Sequence, residues 1–135
     1  MKAMPRIEKV MTVMPMTIGK RISIAQAQKM MREHHIRHLP VQDGARLLGV
    51  LTERDIRLAQ SLKDASELLV EDVMTPDPYQ VQPSALLDDV CEEMAEFKYG
   101  CAIVTQTNGK VVGIFTAIDA LRYLSENMRE HYQAS

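Results

Sequence analysis

The feature that most constrains this chain is that it repeats itself. Val10-Met11-Thr12 recurs 63 residues on as Val73-Met74-Thr75. In the same register Pro15 meets Pro78, Ile18 meets Val81, Ala27 meets Val90, Met31 meets Met94 and Val41 meets Val104. One added residue then shifts the offset to 64, where Gly49-Val50-Leu51-Thr52 meets Gly113-Ile114-Phe115-Thr116 and Asp55 meets Asp119. The slip falls between Asp43-Gly44 and Asn108-Gly109, at a turn, where an insertion disturbs little packing. A unit of about 63 residues scarcely buries a sufficient core alone. Two copies in 135 residues are therefore expected to fold together.

Each copy reads alike. A short extended segment (near Met16 to Ile18, and Tyr79 to Val81) precedes a helix. The first helix carries an apolar stripe at Ile24, Ala27 and Met31, with Met30 beside it; the second carries Leu86, Leu87, Val90, Cys91, Met94 and Phe97. A hairpin follows. Leu39-Pro40-Val41 turns through Asp43-Gly44 into Leu47 to Leu51, and Ala102-Ile103-Val104 turns through Asn108-Gly109 into Val111 to Phe115. Asp-Gly and Asn-Gly between apolar runs favour tight hairpin turns. A second helix is expected from Glu53 and from Ala117. The fold class is thus α/β (α+β), two β-α-β-β-α repeats packed together. The first repeat spans 1–63 (core about 7–60) and the second 70–135 (core about 70–124), with a linker at 64–69. Ser61 to Glu71 reads as a connector, and the polar tail from Glu130 to Ser135 is expected to fray.

Composition narrows the function. Hydrophobic residues make up 46%, aromatics only 4%, and Trp is absent, so the core is aliphatic and Met-rich. The net charge of −2, with both signs interspersed, argues against a nucleic-acid footprint, which needs a basic excess or stripe. No run approaches the roughly 18 apolar residues of a membrane span. Met1 to Arg6 lacks the apolar stretch of a signal peptide, and the two cysteines, Cys91 and Cys101, are expected to be buried reduced thiols. A soluble cytoplasmic protein is the expectation.

The recurrent chemistry lies in Gly49-Val50-Leu51-Thr52-Glu53-Arg54-Asp55 and Gly113-Ile114-Phe115-Thr116-Ala117-Ile118-Asp119. Thr-x-x-Asp at a helix start is a capping box, with the Thr oxygen accepting the N–H three residues on and the acid favoured by the helix dipole. The same residues, doubled at equivalent strand-to-helix junctions, suit a ligand. A carboxylate accepts from a ribose diol, and a hydroxyl beside a helix N-terminus suits a phosphate or ribose oxygen. Both readings stand on the residues alone.

The Val-Met-Thr segment, the Leu-Pro-Val strand, the glycine-turn hairpin and the Gly-x-x-Thr-x-x-Asp close together resemble the cystathionine-β-synthase (CBS) domain pair, or Bateman module, from about Ile7 to about Tyr123. The resemblance implies two repeats packed through their sheets about a pseudo-twofold axis, with two clefts for adenosine-containing ligands (AMP, ADP, ATP or S-adenosylmethionine). It implies regulation of an unidentified partner protein, a homodimer, no required cofactor and no catalysis. Carried onto this chain, cleft A joins Ile114, Thr116 and Asp119 to Val10, Pro15, Ile36 and Arg37. Cleft B joins Val50, Thr52 and Asp55 to Val73, Pro78, Tyr99 and Gly100. Arg37 with His38 makes cleft A the expected site for a charged nucleotide, since Arg suits phosphate; cleft B has Lys98 and Arg54 nearby. The alternative is a structural or dimerisation module with unoccupied clefts.

Other constellations carry less. His34, His35 and His38 lack a carboxylate or Cys to complete a zinc set, and the helix is expected to end near Ile36. Met11, Met14 and Met16 are better explained by adaptable packing than by Cu(I). Neither cysteine has a Cys-His-acid arrangement around it. Gly44 to Gly49 lacks the Lys-Ser/Thr of a phosphate loop. Within these 135 residues nothing outside the pair is long enough for an effector domain, so output is expected through another chain.

Overall fold

The computed structural model describes residues 2–62 and 65–133. Lys63 and Asp64, where the expected first repeat meets the linker, and residues 134–135 of the tail lie outside them. The elements follow in order: β1 (Thr12–Val13), β2 (Ile18–Gly19), α1 (Ile24–His34), β3 (His38–Asp43), β4 (Arg46–Thr52), α2 (Glu53–Gln60), α3 (Val70–Val73), β5 (Thr75–Pro76), β6 (Gln80–Val81), α4 (Leu87–Phe97), β7 (Cys101–Thr105), β8 (Val111–Thr116) and α5 (Ala117–His131). Each repeat contains the expected β-α-β-β-α series. Both hairpins turn on a glycine with positive φ, Gly44 at 61° and Gly109 at 86°.

The described residues form two four-stranded sheets, ordered β2-β3-β4-β5 and β1-β8-β7-β6. The compact units are not simply the two halves of the chain. One unit takes in the chain up to Met14, Tyr79–Thr107 and the chain from Val111 onward; the other takes in Pro15–Pro78 with Asn108–Lys110. The segment leading into each repeat completes the other repeat's sheet. β1 pairs antiparallel with β8, and β5 pairs antiparallel with β4.

The cores repeat the exchange. In the first hairpin's unit Ile18, Ala27, Met31, Leu39, Val41, Leu51 and Ile56 bury together with Val70; in the second, Leu87, Val90, Met94, Ala102, Val104 and Phe115 bury with Ile7. Ile7 and Val70 are equivalent residues, both fully buried. Their N–H groups donate to equivalent carbonyls, Ile7 to Ala85 and Val70 to Ile22, each at 2.7 Å.

Several local expectations need correction. Leu86 is the N-cap of α4 and is 38% exposed, and Phe97 is 56% exposed and stacks on Tyr99 instead of entering the core. The connector runs into α3, whose first residue, Val70, enters the core. Glu130 and His131 belong to α5, and the Lys2 ammonium lies 3.1 Å from the Glu130 carboxylate. Met14 and Met16 are exposed, so only Met11 of that trio packs against a core. Both cysteines are free; Cys101 is buried, but Cys91 is only half-buried. Helices α1 and α4 end without glycine, on His35 and Lys98 in the left-handed conformation.

Candidate functional site

Each Gly-x-x-Thr-x-x-Asp forms a strand-to-helix corner. At one, the Thr52 hydroxyl accepts the Asp55 N–H at 3.0 Å, and Asp55 Oδ2 accepts the Thr52 N–H at 3.1 Å. At the other, the Thr116 hydroxyl accepts the Asp119 N–H at 3.2 Å, and Asp119 Oδ2 accepts the Thr116 N–H at 2.9 Å. These are complete reciprocal capping boxes. The box engages one carboxylate oxygen of each acid. Oδ1 lies outside it; that of Asp119 has the Arg122 guanidinium 3.8 Å away.

The motif's glycine has a steric purpose that the sequence reading passed over. An ideal Cβ on Gly49 would stand 2.5 Å from the Thr75 carbonyl oxygen and 2.9 Å from Met74 Sδ. On Gly113 it would collide with Met11 Sδ and stand 2.9 Å from Met11 Cγ. The methionine of each Val-Met-Thr segment therefore lies over the glycine of the facing motif. This seats Thr75 beside Val50 and Thr12 beside Ile114 in the ladders. The Thr75 hydroxyl then donates to Asp55 Oδ2 at 3.5 Å. The recurrence of Val-Met-Thr was the only signal for these residues, and spacing could not say which motif they would face.

The remaining candidates divide between the units. Of cleft A, the unit containing β8 holds Val10, Ile114, Thr116 and Asp119, with Val10 packed against its core. Pro15, Ile36 and Arg37 belong to the other unit. There the Arg37 carbonyl accepts the Glu53 N–H at 3.0 Å and its guanidinium lies 3.5 Å from the Glu53 carboxylate, beside Thr52. Of cleft B, Val50, Thr52, Asp55, Val73 and Pro78 share one unit. Tyr99 and Gly100 lie in the other, where the Gly100 carbonyl accepts the Ala117 N–H at 3.0 Å, the counterpart of the Arg37 bond. Tyr99 stacks on Tyr79 at 4.8 Å between ring centres. The Tyr79 hydroxyl donates to Glu93 at 2.6 Å, and burial together with that carboxylate raises the Tyr79 pKa above the usual phenol value.

Each corner offers a carboxylate oxygen, a threonine pair and a helix N-terminus, which suits hydroxyl groups and an anion. Cys101, opposite Thr116 in the ladder, is a poor nucleophile because burial pushes its thiol up to about 12. Among the described residues no three His, Cys, Asp or Glu side chains are grouped to hold a metal, and no helix is long and apolar enough to cross a membrane.

Comparison with known proteins agrees with this geometry. The CBS domain family profile matches residues 7–62 and 70–126. An inosine-5'-monophosphate dehydrogenase from Korarchaeum cryptofilum is 35% identical over 118 residues, 87% of this chain and 24% of that enzyme. The chain thus spans about a quarter of that relative's length. The CBS domain pair of protein MJ0100, solved with 5'-methylthioadenosine and S-adenosyl-L-methionine, superposes with a TM-score of 0.83 at 25% identity, covering 93% of this chain and 99% of that one. CBSX2, solved with AMP, superposes with a TM-score of 0.76 at 25% identity, covering 90% and 96%.

Proposed function

This chain belongs to the CBS domain family, and we propose from that premise that it is a regulatory module for an adenosine-containing ligand. The ligand occupies clefts built on the two corners and changes the module's contact with a partner protein, without catalysis by this chain. The observation that carries the reading is the doubled capping box, which leaves one carboxylate oxygen of Asp55 and of Asp119 outside the cap. A ribose diol is the donor pair that suits such an oxygen. Val10, Pro15, Ile36 and Arg37 complete the corner of Asp119, and Val73, Pro78, Tyr99 and Gly100 that of Asp55. Arg37 assigns the phosphate-bearing ligand to the first. Its pairing with Glu53 is at the surface and yields readily to a ligand. The module acts as a homodimer, and ligand binding shifts a conformational equilibrium.

Calorimetric titration with AMP, ADP, ATP, S-adenosylmethionine and 5'-methylthioadenosine tests this. At least one ligand is expected to bind. Asp119→Asn, which keeps an N3 side chain able to accept the cap bond, is expected to weaken AMP about tenfold or more. No heat and no thermal shift at about 1 mM of any ligand would refute the reading. That outcome would favour an architectural module, which the complete capping boxes also serve.

A further inference from the structure

Two methionines fill the space that the motif glycines leave open. Met11 lies over Gly113 and Met74 over Gly49, each sulfur in the room a Cβ would take. Each stands one helical turn after a fully buried anchor, Ile7 or Val70. The Met11 N–H donates to the Ile7 carbonyl at 3.0 Å, and the Met74 N–H to the Val70 carbonyl at 2.9 Å. Each lead-in segment is thus held twice, deep in a core by its anchor and beside the corner by its thioether. Beyond the methionine only a short strand pairs with the hairpin, Thr12–Val13 in β1 and Thr75–Pro76 in β5. An unbranched thioether suits so narrow a slot. It is also an apolar side chain that an oxidant converts reversibly into a polar one.

Access differs among the methionines. Met31 and Met94 are 3% and 5% exposed and so are shielded, whereas Met11 and Met74 are half-buried, within reach of a small oxidant. With hydrogen peroxide the sulfur lone pair attacks one peroxide oxygen, and the S–O bond forms as the O–O bond breaks. The leaving hydroxide takes the proton of the transferred hydroxyl and departs as water. The methionine is oxidised to the sulfoxide by two electrons and the peroxide is reduced. A sulfoxide oxygen seeks water, and the glycine side of the slot is already filled. At Gly49 the Thr75 carbonyl oxygen faces that same space, 2.5 Å from the ideal Cβ, and repels a second acceptor. The oxidised side chain therefore leaves the slot. Ile7 and Val70 still hold the other end of each segment, which confines the loss to β1 and β5. Those strands seat Thr12 beside Ile114 and Thr75 beside Val50, and the Thr75 hydroxyl donates to Asp55. We propose that Met11 and Met74 are paired sites of reversible oxidation by a peroxide, and that their sulfoxides release the lead-in strands from the Gly-x-x-Thr-x-x-Asp corners. This adds a redox control to the ligand sites proposed above and rests on that reading only for its effect on affinity.

Graded treatment with hydrogen peroxide tests it, with the oxidised sites mapped by mass spectrometry of peptides. The wild type is compared with Met11→Leu/Met74→Leu, which keeps apolar packing over the glycines and carries no sulfur there. In the wild type, amide exchange in β1, β5 and the β4 and β8 edges they cover is expected to quicken about tenfold or more as Met11 and Met74 become sulfoxides, with little movement of the urea midpoint. AMP affinity is expected to fall about tenfold in step. Methionine sulfoxide reductases are expected to restore both. The leucine pair is expected to keep its exchange rates and affinity through the same treatment, although the exposed Met4, Met14, Met16 and Met128 oxidise in both proteins. Met4→Leu/Met14→Leu/Met16→Leu/Met128→Leu, which retains Met11 and Met74, is expected to respond as the wild type does and decides the matter if the first variant fails to fold. Met11 and Met74 unmodified after the exposed four are converted, or β1 and β5 unchanged with both as sulfoxides, overturns the proposal. An equal response in the leucine pair overturns it as well. Absence of AMP binding before treatment counts against the ligand reading alone, and amide exchange then judges the oxidation.

Discussion

Substituting alanine for the two motif glycines should cost different amounts, because what each new methyl would strike differs in kind. At Gly49 the obstacle is backbone: the Thr75 carbonyl oxygen lies 2.5 Å from the ideal Cβ. That oxygen belongs to β5, which pairs with β4 at Gly49↔Pro76 and Val50↔Thr75, so relief requires moving a strand. Overpacking of this kind costs about 1–3 kcal/mol. Alanine returns about 0.5–1 kcal/mol by narrowing the unfolded ensemble, leaving Gly49→Ala about 0–2.5 kcal/mol destabilising, centred near 1. At Gly113 every close atom belongs to the Met11 side chain. A half-buried methionine with three rotatable bonds can turn aside, so Gly113→Ala should cost about 0–1 kcal/mol. Urea unfolding followed by circular dichroism, run as two double-mutant cycles, separates the causes. Met11→Ala should abolish the cost of Gly113→Ala, whereas Met74→Ala should leave most of the cost of Gly49→Ala. Full rescue of Gly49→Ala by Met74→Ala, or a larger loss at Gly113 than at Gly49, would refute the assignment of the obstacle to the β5 backbone.

Three further outcomes are expected. Thr116→Val should destabilise by about 1 kcal/mol through loss of the α5 cap, while Thr116→Ser keeps it; equal losses in thermal unfolding would remove the cap from the account. Cys101 has a folded pKa of about 12 against an ordinary 9.0, so the unfolded chain releases the proton first. The stability it contributes is full below about pH 9 and is lost as pH rises toward 12. The fall in melting temperature over that window should be shallower in Cys101→Ala, and an unchanged slope would contradict the assignment. Tyr79→Phe keeps the ring stack and loses the 2.6 Å bond to Glu93, for an expected cost of about 0.5–1 kcal/mol by urea titration.

Much of the fold was legible locally. The stripe Ile24, Ala27 and Met31 is buried as its spacing requires, both hairpins turn at their glycines, and both Thr-x-x-Asp segments cap helices. Those features depend on neighbours within a turn or two, where periodicity and capping chemistry operate. The misses share a cause. Strands β1 and β5 are two residues long, too short for any period, and Phe97 left the α4 stripe for an aromatic neighbour outside it. The left-handed ends at His35 and Lys98 lack the usual glycine signal, although each closes its helix through the next residue's N–H, Ile36 to Met31 and Tyr99 to Met94.

The sequence by itself determined that there are two equivalent corners, because threonine and aspartate three apart cap a helix wherever it begins. It also supplied, at each corner, a carboxylate and a hydroxyl of the kind a ribose diol suits, since that is a matter of side-chain chemistry. Only the tertiary structure decided which lead-in segment completes which corner. Ile7 and Val70 each stand three residues before a Val-Met-Thr, and each is buried in the core of the other repeat. Burial and ladder pairing reward proximity in space and are blind to order along the chain. The doubled motif therefore announced two corners, and packing allotted Met11 to Gly113 and Met74 to Gly49.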